Sequence, residues 1–209
     1  MSEQNDTAIS GTDPALGARD EQVVADTVGW LEKAVIGLNL CPFAKGVHSK
    51  GQIHYVVSHA TDARALADDL HRELEALAEI SPEKRDTTLL MAPDCLEDFL
   101  DFNDFLELAD DLVDALDLGG ILQVASFHPR FQFEGTDVDD VSNCTNRAPY
   151  PTLHLLREDS IDRAVEAFPE AEEIFERNIE VLEQLGSKGW SELDVGAHAC
   201  PHGHGKVVK

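Results

Sequence analysis

The side chains best suited to binding or transforming a small molecule are concentrated between Ser126 and His154. His128 comes first among them, in Ser126-Phe127-His128-Pro129, and imidazole has the unperturbed pKa nearest to neutral pH. It could act as a general base or bind a metal ion. Alternatively, His128 and the rigid Pro129 form a structural turn in which the imidazole makes only internal hydrogen bonds. The sequence alone supports both roles.

Arg147 is the second candidate, in the segment Asn143-Cys144-Thr145-Asn146-Arg147. Its planar guanidinium group can donate two parallel hydrogen bonds to a carboxylate or phosphate of a ligand. Asn143, Thr145 and Asn146 are expected to help bind the same ligand. The competing interpretation is an internal ion pair with acidic residues nearby in the chain, which are Glu134, Asp137, Asp139 and Asp140.

His154 alternates with Leu153 and Leu155, so its side chain is expected to face away from those two residues. It could meet His128 across neighbouring strands, and the two imidazoles with Glu134 or Asp137 would then form a divalent-metal site. A buried histidine with satisfied hydrogen bonds is the alternative. If the protein is an enzyme, we expect His128, His154 and Arg147 to be its catalytic residues.

Cys41, Lys45 and Arg157 complete the expected substrate-binding set. Cys41 is predicted to follow a helix, where the negative end of the helix dipole opposes thiolate formation unless Lys45 compensates. Its alternative role is that of a small packed residue in a turn. Near the end of the chain are four further metal-ligand types, where we expect only adventitious binding because a flexible segment loses entropy on ordering. These are His198, Cys200, His202 and His204.

Apolar periodicity predicts the elements that hold these residues. A first helix is expected at Glu21–Leu40, a strand at Ile53–Ser58, and a second helix capped by Thr61-Asp62. The remaining predicted elements are a strand at Thr87–Met91, a helix at Phe99–Leu116, strands at Ile121–Phe127 and Thr152–Leu156, and helices at Ser160–Phe168 and Glu170–Leu185. Gly186 is expected to end the last helix, because glycine is the usual residue just after a helix.

This order, αβαβαβ-loop-βαα, predicts an α/β fold with a small four-stranded, mainly parallel or mixed sheet flanked by helices. The apolar run Ile121–Phe127 is typical of an interior strand covered on both faces. His128 would then lie at the carboxyl end of that strand, where open α/β sheets collect ligands. We expect a disordered acidic tail at 1–20, one domain at 21–187 and a flexible tail at 188–209.

The composition favours a small-molecule partner over nucleic acid. Hydrophobic residues make up 43% of the chain, which is enough for a core, and the formal net charge is -25. Such a charge repels phosphate backbones and anionic membranes. It suits an acidic cytoplasmic protein or, alternatively, a protein from a salt-loving organism. The four cysteines form no CxxC pair and no apolar leader or membrane span is found, so we expect a cytoplasmic location.

The common motifs of nucleotide-binding proteins, metalloproteases and α/β-hydrolases are missing: GxxxxGK[ST], GxGxxG, HExxH and GxSxG do not occur. The sequence therefore contains no nucleotide-binding motif, and the cofactor is left unknown. A divalent metal remains compatible with it, and the oligomeric state is left undetermined.

Three segments resemble a bacterial family known as domain of unknown function 1415. They are Asn39-Leu40-Cys41-Pro42-Phe43-Ala44, Gln123-Val124-Ala125-Ser126-Phe127-His128-Pro129, and Thr145-Asn146-Arg147 with Pro149 to Glu158. The resemblance spans Val23 to Gly186, with Cys144 and Ala148 departing from the aromatic residue and the serine associated with those positions. It implies domain limits, and it implies no activity, cofactor or catalytic residue.

Two hypotheses about function follow. In the first, the protein is an enzyme acting on a small polar or anionic metabolite at the His/Arg/Asn loop. In the second, it is a non-catalytic metal- or partner-binding assembly factor whose loop is structural. Substitution of His128 or Arg147 should abolish ligand binding in the first case and reduce stability in the second.

Overall fold

The structure, a computed structural model, describes residues 14–167 and 173–195. Its helices are α1 (Pro14–Trp30), α2 (Ala44–Ser49), α3 (Ala63–Glu79), α4 (Phe99–Ala115), α5 (Glu158–Ala167) and α6 (Ile174–Glu192). A π-helical segment, Leu31–Ile36, continues α1, and a 3₁₀-helix spans Val141–Asn146. The strands are β1 (Ile53–Val57), β2 (Thr87–Met91), β3 (Leu122–Phe127) and β4 (Thr152–Arg157). The predicted α/β class is confirmed.

The four strands form a mixed sheet in the order β1-β2-β4-β3. β1 and β2 run parallel, whereas β4 is antiparallel to both β2 and β3. The prediction of an interior strand at Ile121–Phe127 is wrong, because β4 lies between β2 and β3 and leaves β3 at the edge. Its apolar residues are explained by packing on both faces: Leu122 belongs to one core and Phe127 packs against the other.

The first face of the sheet packs against α3 and α4. Asp62 caps α3 by accepting a hydrogen bond from the N–H of Ala65 at 2.9 Å, and Asp98 caps α4 by accepting one from Leu100 at 2.9 Å. The apolar stripes of both helices then cover the sheet. The fully buried residues of this core include Leu66, Leu70, Leu74, Leu77, Phe102, Leu90, Leu153 and Leu155.

The second face of the sheet packs against α1, the π-helical segment and α6. Tyr55, Leu89 and His154 lie in one row across this face, because Tyr55 pairs with Leu89 and Leu89 pairs with His154. Trp30 packs edge-on against Phe127 at 5.1 Å between ring centroids, and Trp190 belongs to the same core. We call the group Tyr55, Phe127, His154, Trp30 and Trp190 the aromatic face.

Three helix boundaries differ from the prediction. The first helix starts at Pro14 and passes into the π-helical segment at Leu31, so residues 14–20, predicted to be tail, are helical. The turn expected at Cys41 is short, because α2 begins three residues later at Ala44. Gly186 does not end the last helix: it forms a kink with φ of 66° inside α6, which continues to Glu192.

Residues 188–195 belong to the packed structure. Trp190 and Val195 are buried in the second core, and Lys33 donates a hydrogen bond to the carbonyl oxygen of Asp194 at 3.0 Å. The flexible tail expected from residue 188 therefore does not begin there; positions 196–209 lie outside the described residues. None of the helices in the described residues is long and apolar enough to cross a membrane.

Candidate functional site

His128 lies just after β3 and is fully buried. Its Nδ1 accepts a hydrogen bond from the backbone N–H of Arg130 at 3.0 Å. Because Nδ1 is the acceptor, the proton lies on Nε2, which donates to the carbonyl oxygen of Leu96 at 3.1 Å. Both ring nitrogens are therefore bonded to backbone, as in the structural interpretation of this residue.

The imidazole ring of His128 lies against two aromatic rings of α4. The centroid distances are 5.4 Å to Phe99 and 5.0 Å to Phe102. This burial lowers the pKa of His128 to about 4, so the ring is neutral at pH 7. Leu96, whose carbonyl accepts the bond, has an unusual φ of 57°. His128 thus holds a strained turn in place ahead of α4.

Asn143 is buried inside the loop between β3 and β4 and bonds to three points of it. Its Oδ1 accepts hydrogen bonds from the N–H of Phe133 and the hydroxyl of Thr136, both at 2.9 Å. Its Nδ2 donates to the carbonyl oxygen of Asp137 at 2.9 Å. The side chain expected to position a ligand therefore positions the loop.

Arg147 is 1% exposed, and its guanidinium group is directed at the same loop. Nε donates to the carbonyl oxygen of Phe131 at 3.0 Å and Nη2 to that of Val138 at 2.7 Å. The pKa of Asp140 is lowered mainly by hydrogen bonds from Ser142 and to a smaller extent by the Arg147 charge. The geometry differs from that of the expected anion anchor, because a ligand has no open approach to a buried group.

Two more of the expected substrate-binding residues bond internally. Thr145 donates from its hydroxyl to the carbonyl oxygen of Ser142 at 2.9 Å. Arg157 is buried and donates through Nη2 to the carbonyl oxygens of Leu77 at 2.6 Å and Ile80 at 2.5 Å. These carbonyls end α3 and have no partner within the helix, so Arg157 acts as a helix cap.

His128 and His154 lie on opposite faces of the sheet. The ring of His128 packs on Phe102, which belongs to the first core, whereas the ring of His154 packs on Phe127 at 5.8 Å on the aromatic face. The prediction that the two histidines meet across neighbouring strands is therefore wrong. The part of the chain that the structure describes contains no group of three His, Cys, Asp or Glu side chains placed to hold a metal ion. The candidates His198, Cys200, His202 and His204 lie outside it.

His154 is partly buried, and its environment differs from that of His128. Within residues 14–167 and 173–195, neither ring nitrogen of His154 has a hydrogen-bond partner. Burial lowers its pKa to about 4, which leaves a neutral imidazole with one free donor and one free acceptor. The residue as a whole is half-buried, so the described residues do not enclose it completely.

On the same second face of the sheet, three other polar atoms are buried and have no hydrogen-bond partner among the described residues. They are Oη of Tyr55, Oδ1 of Asn178 and Nε1 of Trp190. Burial, and to a lesser extent the charge of Glu32, raises the pKa of Tyr55 to about 12. Asn178 and Trp190 are both on the buried side of α6, and Asn178 uses its Nδ2 to bind the carbonyl oxygen of Leu40 at 2.9 Å. Such unpaired atoms are rare in folded proteins.

Cys41 packs at the edge of the second core, to which Tyr55 and Phe127 also belong, and its thiol is free and partly exposed. Asn39, two residues earlier, has a left-handed φ of 55°, a conformation that asparagine tolerates better than most residues. Lys45 is exposed on α2. Asn146 is half-buried, and its backbone carbonyl accepts a hydrogen bond from the N–H of His128 at 3.1 Å.

Sequence reasoning therefore selected His154 and missed Tyr55, Asn178 and Trp190. Tyr55 lies in a predicted strand and Asn178 in a predicted helix, so their elements were expected. No sequence signal marks an unpaired atom, because pairing depends on which neighbours the fold supplies. The alternation of β1 was the one available signal, since it assigns Tyr55 to the face that holds Ile53 and Val57.

Comparison with known proteins adds one match. A family model described as protein of unknown function (DUF1415) matches residues 22–192, which includes all four strands and α6. Neither the curated proteins nor the solved structures that were compared contain a match to this chain. The family match ends at the last residue of α6 and so agrees with the packed limit of the described fold. The chain thus belongs to the DUF1415 family.

Proposed function

We propose that the protein binds and acts on a small uncharged polar metabolite at the aromatic face, with His154 as the hydrogen-bonding side chain that touches it. One observation carries this proposal: His154 is a half-buried residue, and both of its ring nitrogens lack partners among the described residues. The Tyr55 hydroxyl, in the same row of the sheet, is buried and also unpaired. The Tyr55 hydroxyl is itself closed to a ligand, but such unpaired groups are rare in folded proteins and distinguish this face from the internally bonded loop.

The charges of this face favour an uncharged ligand. With pKa values of about 4 and about 12, His154 and Tyr55 are both neutral at pH 7. The unpaired atoms of Asn178 and Trp190 are an amide oxygen and an indole N–H, which are neutral as well. A net charge of -25 opposes the approach of anions. The proposal thus narrows the polar or anionic metabolite expected from sequence to an uncharged one.

The chemistry open to His154 is that of a neutral imidazole. With a pKa near 4 it is a weak general base at pH 7, because efficient bases have pKa values close to the working pH. Its N–H can instead donate a hydrogen bond to a carbonyl oxygen on which negative charge develops during a reaction. We assign His154 this stabilising role.

The proposal retains the expectation of a bacterial, cytoplasmic protein whose partner is a small molecule. The acidic charge supports this, because it disfavours nucleic acids and anionic membranes. A cofactor is not part of the proposal.

Thermal unfolding in the presence of uncharged metabolites tests the proposal. A ligand that binds the folded state raises the melting temperature, so wild type should shift and His154→Phe should not. The matched control is His71→Phe, because His71 is exposed on α3 and ion-paired with Glu75 at 3.4 Å. It should shift like wild type. An equal shift in wild type and His154→Phe, or no shift with any compound, would overturn the proposal. Ligand-induced changes in the ring ¹⁵N resonances of His154 give a second readout.

A second candidate function is non-catalytic partner binding. The observation that favours it is the internal bonding of the loop between β3 and β4. The side chains of His128, Asn143 and Arg147 all donate hydrogen bonds to backbone carbonyl oxygens. A loop held in this way is a rigid frame, as expected of an assembly factor. Loss of stability in His128→Ala and Arg147→Ala, together with no melting shift of wild type in the presence of any small molecule, is the result that agrees with it.

A further inference from the structure

An open cleft of about 600 Å³ runs along the outer side of α1 and the start of the π-helical segment. Two rows of residues, each at steps of four, line it. One row is Asp20, Val24, Val28 and Glu32, and the other is Glu21, Ala25 and Gly29. We call this cleft the α1 groove. Side chains four residues apart form ridges on a helix, and the small Ala25 and Gly29 leave the second row as a groove beside the first.

Gly29 has no internal reason to be glycine. A Cβ placed on it meets no atom of the described residues within 4 Å, so these neighbours leave the space open. Gly37 is the opposite case, because a Cβ there would collide with the carbonyl oxygen of Lys33. Glycine is among the least favourable residues in a helix interior. The missing side chain at Gly29 deepens the groove. The glycine therefore favours contact with a molecule outside the helix rather than packing among the described residues.

Carboxylates stand at both ends of the groove. Asp20 and Glu21 mark one end and Glu32 the other, and none of the described lining residues is basic. Oδ1 of Asp20 is buried without a hydrogen-bond partner among the described residues, while Oδ2 lies 3.2 Å from Nε2 of His59. Asp20 and Glu32 are twelve residues apart, which corresponds to about 18 Å along a helix. The groove thus has an apolar middle between two acidic ends.

We propose that the α1 groove binds an amphipathic helix of a partner protein, with basic residues at both ends of its apolar face. Helices commonly recognise grooves through apolar anchors three or four residues apart, and the basic ends would pair with the carboxylates. A second copy of this chain fits poorly, because two α1 grooves facing each other would bring carboxylates against carboxylates. The α1 groove is a different surface from the aromatic face at which we propose ligand binding. It is the surface at which a partner protein would bind.

Binding of a synthetic helix tests the groove. The probe is a fluorescent fourteen-residue Leu/Ala helix with lysines at both ends, measured by anisotropy at about 0.15 M salt. Gly29→Leu fills the groove without a clash and should weaken binding at least tenfold. Gly17→Leu is the matched control. Gly17 is also in α1, a Cβ there meets nothing in the part of the chain that the structure describes, and it does not line the groove. It should change affinity less than twofold.

A pair of charge reversals separates the groove from general attraction to an acidic protein. Glu21→Lys/Glu32→Lys should weaken binding at least tenfold, whereas Glu107→Lys/Asp110→Lys on the exposed side of α4 makes the same change in net charge and should weaken it less than threefold. Equal losses in both, or equal affinity of Gly29→Leu and wild type, would overturn the proposal. So would a wild-type dimer that Gly29→Leu converts to a monomer, because the occupant would then be a second copy.

Discussion

The loop between β3 and β4 and the aromatic face treat their polar groups in opposite ways. In the loop, His128, Asn143 and Arg147 are buried and bonded to backbone atoms. On the aromatic face, the side chains of His154 and Tyr55 make no hydrogen bonds with the described residues. The loop has more side chains of the types found in active sites, yet the hydrogen-bonding groups of these side chains are already bonded to the loop's own backbone. A polar motif in a sequence therefore indicates strong interactions, and only the structure shows whether the partner is the chain itself.

The largest effect that separates the two regions is expected for Arg147→Met. It leaves the carbonyl oxygens of Phe131 and Val138 without their charged donor in a partly buried loop, which should lower the free energy of unfolding by about 3 kcal/mol. Urea unfolding measures this. Arg72→Met, on the exposed side of α3, is the control and should change stability by less than about 0.5 kcal/mol. A stable Arg147→Met protein that has lost ligand binding would restore Arg147 as a ligand anchor.

The pH dependence of stability should be the next largest effect. An unfolded histidine binds a proton near pH 6.5, whereas His128 and His154 in the folded protein do so only near pH 4. Between these values the unfolded chain holds more protons, so stability falls as the pH falls. From pH 7 to 5 we expect a loss of about 2 kcal/mol from His128.

Urea titrations at pH 7, 6 and 5 measure this loss. His128→Asn should remove the His128 part of the slope, and His154→Phe should remove the part that belongs to His154. His71→Phe, on the solvent side of α3, is the matched control. If both buried-histidine variants keep the wild-type slope, the histidines are protonated normally and the comparison of their environments fails.

A smaller effect is expected for Gly186→Ala. The backbone at Gly186 has a φ of 66°, which an alanine adopts only with strain, although its Cβ would meet no atom of residues 14–167 or 173–195 within 4 Å. The expected loss is about 1 kcal/mol. Because the kink lies between Leu182 and Trp190, the fluorescence of Trp190 should report it. Unchanged stability would mean that α6 straightens without disturbing the aromatic face.

The smallest effect is expected for Tyr55→Phe. The hydroxyl is buried and unpaired, so its removal should leave stability within about 0.5 kcal/mol of wild type or raise it slightly. Thr88→Val is a contrasting variant, because the Thr88 hydroxyl accepts a hydrogen bond from Nε of Arg85 at 2.8 Å and its loss should be destabilising. A loss above 1 kcal/mol for Tyr55→Phe would reveal a partner for that hydroxyl, such as a buried water.

Local sequence patterns predicted the elements well where one apolar face dominates. The four leucines of α3 and the boundaries of β2 follow from periodicity. Strand order did not follow, because nothing in the sequence of β3 indicates that β4 inserts between it and β2. Gly186 was misjudged for a physical reason: a positive φ suits a helix end, but here α6 resumes because Trp190 is buried beyond it.

The candidate site was predictable only in part. The sequence identified His154 and the face it occupies, from alternation with Leu153 and Leu155. It also favoured His128 and Arg147, whose side-chain types are suited to catalysis and to anion binding. Their actual partners are backbone carbonyl and N–H groups, which every residue carries and which no sequence pattern distinguishes. The role of His128 and Arg147 was decided by which backbone groups the fold places beside them, and not by their residue types.

The π-helical segment Leu31–Ile36 has a consequence for how the chain tolerates insertions and deletions. A π-turn holds one more residue than an α-turn, which rotates everything before it by about 100° relative to everything after it. Deleting one residue within the segment would allow α1 to continue as an ordinary helix, but Val23 and Trp30 would then turn away from the sheet while Leu40 stayed in place. The extra residue therefore fixes the rotation about the helix axis that lets Val23 and Trp30 face the sheet while Leu40 keeps its buried position.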